Sequence, residues 1–153
     1  MNSEYLKKLN NGCAFMPYYI SSMGKVTRIF YKDGGYEDVG YSVRKVINDY
    51  CAINLRCIKS IKKLCRNITG RKTLMPLYIM ENATLIPVKT IKPVIKGDNC
   101  IGYINMAYVF NVDFTKSDFI LNSGCSIHFL ENRETIKKRI ADCTIIDRRL
   151  MSI

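Results

Sequence analysis

The stretch 54–73, NLRCIKSIKKLCRNITGRKT, packs two cysteines, a glycine followed by Arg-Lys-Thr, and seven basic residues with no acid. Residues of these types could hold a metal ion, cradle a nucleotide phosphate, or grip a polyanion. A zinc site built on cysteine pairs its ligands two to four residues apart. Cys51, Cys57 and Cys65 are separated by five and seven intervening residues, and the single histidine, His128, falls in a strand-like segment. That spacing points to structural thiols and to no metal. A phosphate loop needs Gly-x-x-x-x-Gly-Lys-Ser/Thr between a strand and a helix. Here Gly70 precedes Arg71, the position five before it is Cys65, and the glycine closes a helical pattern instead of opening one.

The polyanion reading fits better. On a helix of 3.6 residues per turn, Arg56, Lys59, Lys63 and Arg66 form a stripe largely opposite the apolar positions, with Lys62 beside it and Arg71 and Lys72 just beyond the helix end. A merely solvated face usually alternates its charges, and this one does not. A nucleic-acid backbone binds such a stripe through counterion release. Lys59, Lys62 and Lys63 are candidates for phosphate contacts, which position a protein without reading sequence. For Arg71 a competing role is to cap the last helix carbonyls. Catalysis has little to build on. Cys125 and His128, three residues apart on a strand, point to opposite faces, and no nucleophile motif is present. The residues call for no cofactor.

These side chains must be positioned by an α+β arrangement. Residues 13–20 and 26–32 are rich in aromatic and β-branched types and read as a hairpin ending in the turn Asp33-Gly34-Gly35. Ile47, Cys51, Asn54, Ile58, Ile61, Cys65 and Ile68 then recur at spacings of three and four, with Leu55 and Leu64 beside them. This predicts one long amphipathic helix or a pair of helices ending near Gly70. Strands are expected at 74–80 and 83–88, with Pro76 and Pro87 marking edges or bulges. A loop is expected at 90–99 and strands at 100–105 and 108–114. Residues 118–130 form a hairpin with Asn122-Ser123-Gly124 at its turn. A last helix starts near Asn132, with Ile136, Ile140 and Cys143 on one face.

The 153 residues suit one domain, and a hydrophobic content of 48% is that of a globular chain. The seven cysteines are odd in number and no secretory signal is visible, so free thiols and a cytoplasmic location are expected. No apolar run is long enough to span a membrane. The net charge is +11, and it is unevenly spread. Residues 44–72 hold nine basic residues against one acid, Asp49, a net of +8, while the remainder carries only +3. That concentration favours a polyanion-binding face.

The order of segments resembles the competence transcription factor (ComK) family over roughly residues 10–148. The motifs that carry the likeness are Asn11-Gly12, Met23-Gly24-Lys25, Lys32-Asp33, Gly70-Arg71-Lys72, and the paired strands of LYIMENATLIPV. They continue with Cys100 and Ile104 in a Cys-x-x-x-Ile pattern, the hairpin FILNSGCSIHF, and the closing basic helix NRETIKKRIADCTII. The chain departs from the family in lacking Gly-Ser-Ser before Gly70, in carrying Tyr103 where the family has tryptophan, and in its shorter segment after Arg149. The resemblance implies a regulator of genetic transformation that binds AT-rich duplex DNA through the minor groove as a homo-oligomer. Arg66, Arg71 and Lys72 are the residues suited to a narrow AT groove. Two other readings stay open: a general RNA or nucleic-acid module, which the charge alone supports equally, and a shortened interaction module that pairs with a full-length relative.

Overall fold

A computed structural model describes residues 3–93 and 100–151, so most of the loop expected at 90–99 lies outside the described residues. The elements run α1 (Ser3–Leu9), β1 (Gly12–Ile20), β2 (Gly24–Tyr31), β3 (Tyr36–Val39), α2 (Val43–Ile53), α3 (Ile58–Thr69), β4 (Leu77–Met80) and β5 (Ala83–Lys89). They continue with β6 (Ile101–Asn105), a 3-10 turn at Met106–Tyr108, β7 (Val109–Asp113), β8 (Asp118–Leu121), β9 (Ser126–His128) and α4 (Arg133–Met151). The α+β class is as expected from the sequence, with wholly antiparallel pairing.

Six strands form one sheet in the order β3-β2-β1-β6-β5-β4, and the last three strands form a second sheet in the order β7-β8-β9. Side chains alternate across a strand, and on the large sheet both faces are covered. Phe15, Ile29 and Leu85 point into a core shared with α1, α2 and α3. Ala14, Met16, Phe30, Ile86 and Ile104 point into a second core shared with the small sheet, where Phe119 and Phe129 meet edge to face at 5.4 Å. This explains why β1 reads as a nearly unbroken apolar run, buried from Gly12 to Pro17. Glycine at 102 lets β1 and β6 approach, since a Cβ there would come within 2.7 Å of the Phe15 carbonyl oxygen.

α4 serves both cores, placing Ile136 in one and Ile146 in the other. Its N-terminus is capped by Asn132, whose side-chain oxygen accepts from the Thr135 amide at 2.9 Å. It also closes a gap in the sheet. β4 pairs with β5 only as far as Leu85, so beyond that point β5 has no outer strand among the described residues. Arg139, though on the basic helix, is buried and donates to the Pro87 carbonyl at 2.9 Å. The same guanidinium pairs with Glu131, which in turn accepts from the Lys89 amide at 2.7 Å. Pro87 thus sits at a local edge, as the sequence suggested, and its missing N–H falls on the side without a strand. Pro76 lies just outside β4.

The structure adds two elements to those expected and moves the start of one strand. α1 and β3 were not anticipated. The expected strand 74–80 begins only at Leu77, because Leu74 takes a positive φ of 55°. Of the two alternatives for the helical pattern over 47–68, the structure has the pair of helices, broken at 54–57 by a Schellman turn: the Leu55 amide bonds the Ala52 carbonyl at 3.0 Å and the Arg56 amide bonds the Cys51 carbonyl at 2.8 Å. Leu55, at φ 58° and 89% exposed, and Leu64, on the solvent side of α3, do not join the core.

Candidate nucleic-acid interface

α3 lies on the sheet through Ile61 and Cys65, with Ile58 and Ile68 at the margin. It ends where Gly70, at φ 72°, donates to the Arg66 carbonyl at 2.8 Å. Lys59, Lys63 and Arg66 lie on one exposed side of this helix, and Lys72 is exposed in the turn after it. Lys59, Lys63 and Lys72 have no carboxylate partner among the described residues. The one acid of the basic segment, Asp49, is buried on α2, where it bonds Lys45 at 3.0 Å and accepts from the Tyr5 hydroxyl at 3.1 Å.

The other cations of the segment are placed differently. Arg56 lies in the turn between the helices, not on the stripe, and its Nε donates to the Ile79 carbonyl of β4 at 2.8 Å. Arg66 keeps its place on the stripe while its Nε donates to the Lys72 carbonyl at 3.2 Å, bracing the turn. Arg71 does not cap helix carbonyls. Its Nε donates to Asp142 of α4 at 3.0 Å, joining the helix-3 turn to the C-terminal helix. Lys62 is half-buried and turns toward α2. The structure therefore brings Lys59, Lys63, Arg66 and Lys72 together and gives Arg56 and Arg71 structural partners.

One cation was missed. Lys138 of α4 is exposed and lines a small hollow with Arg71, Leu74 and Asp142, which carries positive charge from the α3 turn onto α4. Its signal was the closing basic helix, but nothing local in the sequence says which of that helix's cations faces α3. Arg133 and Lys137 instead stack on Phe114, at 5.3 and 5.6 Å from its ring centre.

Among the described residues no group of three His, Cys, Asp or Glu side chains could hold a metal ion. The seven cysteines are free. Five are buried, Cys125 is half-buried, and Cys57 is exposed at the start of α3. There the Ser60 hydroxyl and the amides of Ser60 and Lys59 hold the Cys57 thiol below its ordinary pKa. His128 pairs with Asp118 at 3.0 Å across the β8–β9 ladder. No helix among the described residues is long and apolar enough to cross a membrane. Comparison with protein-family models, with curated proteins and with solved structures returns no match.

Proposed function

We propose that this chain is a DNA-binding transcriptional regulator that grips the duplex backbone through Lys59, Lys63, Arg66 and Lys72. The observation that supports this is an exposed row of cations along one side of α3 whose lysines lack acidic partners, in a chain of net charge +11. An ammonium without an internal counterion keeps its full charge available for phosphate and displaces condensed cations on binding. Lys138 extends the same surface. The preference for AT-rich sites, the control of competence genes and action as a homo-oligomer rest on the order of motifs shared with the competence regulators.

Binding of labelled AT-rich and GC-rich duplexes, single strands and RNA, each across a series of salt concentrations, tests the proposal. The AT-rich duplex should bind tightest. Lys59→Ala and Lys63→Ala should each weaken all duplexes to a similar degree and lower the salt slope by about one. Equal affinity for AT-rich and GC-rich duplex at moderate salt would remove the sequence preference. RNA binding as tight as duplex binding would replace a DNA regulator with a general nucleic-acid module.

A further inference from the structure

Between α2 and α3 the fold leaves a cleft of about 330 Å³. Val43 and Ile47 of α2, Ile58 of α3 and Leu77 of β4 give it apolar walls, and Tyr103 of β6 lines it from the sheet. Its remaining lining is polar: Arg44 and Asn48 from α2 and Lys62 from α3. The helix spacing accounts for the grouping. Val43, Arg44, Ile47 and Asn48 lie one turn apart on the same side of α2, as Ile58 and Lys62 do on α3.

The polar groups at this cleft are unengaged. Arg44 and Lys62 have no hydrogen bond or carboxylate partner among the described residues, and the Tyr103 hydroxyl makes no hydrogen bond there. This contrasts with Arg56, Arg71 and Arg139, each of which is held by an acceptor. The Tyr103 hydroxyl is a protonated donor at neutral pH; burial raises its pKa further, against the opposing charge of Arg139. A concave site with apolar walls and a few polar groups in its lining has the make-up of a small-ligand pocket, and this volume is near the lower end of that range. Two cations and a hydroxyl donor select an anion, and the walls select an apolar body.

We propose that this cleft binds a small amphipathic anion, with its phosphate or carboxylate head held by Arg44, Lys62 and Tyr103 and its apolar body on Val43, Ile47, Ile58 and Leu77. The site goes beyond the nucleic-acid reading and does not depend on it. Lys63, one residue from Lys62 but outside the cleft, separates the two.

The test is calorimetric titration of the full chain, without nucleic acid, using octyl phosphate below its micellar concentration. Amide chemical shifts are followed in parallel, with octanoate and inorganic phosphate as comparison ligands. The expected result is saturable one-to-one binding, with shifts concentrated in 43–48 and 58–62. Arg44→Ala and Lys62→Ala should each weaken it about tenfold, the loss of one hydrogen bond to a charged group. Tyr103→Phe should weaken it about threefold, for a neutral donor, and Lys63→Ala should leave it unchanged. Octanoate binding alongside or instead of octyl phosphate identifies the head and supports the site. Three results would overturn it: no saturable binding of either amphiphile, a loss in Lys63→Ala equal to that in Lys62→Ala, or inorganic phosphate binding as tightly as octyl phosphate.

Discussion

Removing the Arg71 guanidinium leaves the Asp142 carboxylate, 9% exposed, without its cation. Because Arg71 itself is about half exposed, the pair is partly screened, and Arg71→Ala should cost about 1–3 kcal/mol, less than a fully buried pair. Urea unfolding measures this, and Lys63→Ala, with no partner to orphan, should stay within about 0.5 kcal/mol of wild type. A loss of DNA binding in Arg71→Ala without loss of stability would restore it to the binding surface. These roles were not legible in the sequence, where all seven cations look alike. The Arg56 acceptor lies 23 residues away and the Arg71 partner 71 residues away, so no local pattern carries them. The cysteines divide in the same manner. Burial pushes the thiols of Cys13 and Cys51 up to about 11 and that of Cys143 up to about 12, while Cys57 is exposed and held low. Iodoacetamide near neutral pH should therefore label Cys57 first, as peptide mapping would show; labelling of Cys143 at the same rate would contradict the packing.

At the scale of elements, the junction of α2 and α3 carries a left-handed residue that is not glycine. Leu55 holds φ 58° and its side chain is almost wholly in solvent, so the strain is uncompensated by packing. Leu55→Gly should raise stability by about 0.5–1 kcal/mol, the relief of left-handed strain less the added freedom of the unfolded chain. A fall in the thermal midpoint would mean that Leu55 is held by something other than this turn. Asn54, the polar interruption in an otherwise apolar period, was the sequence's trace of the break. Leucine in place of the usual glycine concealed where it falls. β3 escaped for another reason: its four residues are exposed or half-buried, so they show no apolar alternation. α1 spans only two turns, with Tyr5 and Leu9 as its buried contacts. The long α4 and the hairpin at 118–128 were readable because each carries its period and its turn or cap residues together.

For the molecule as a whole, the buried thiols and tyrosines fix the alkaline limit. Cys13, Cys51 and Cys143 keep their protons in the folded state well past the ordinary thiol value of 9.0, and Tyr50 is pushed up to about 12 by burial. Below about pH 8 these groups are neutral in both states and contribute nothing to pH dependence. Above it the unfolded chain ionises first and binds fewer protons, so stability should decline steadily from about pH 9 to 11. Thermal melts across that range check the sign; a midpoint that holds constant would show the thiols to be accessible. Finally, the strap of α4 across the outer side of β5 has a consequence for biosynthesis. β5 leaves the ribosome before Leu130, Glu131 and Arg139, which bond its Lys89 and Pro87 backbone groups, so a nascent chain presents that margin with open carbonyls and amides beside an apolar core. Until residues 130–139 are translated, the described partners of that margin are missing, and chains stalled or terminated before them should be the more aggregation-prone.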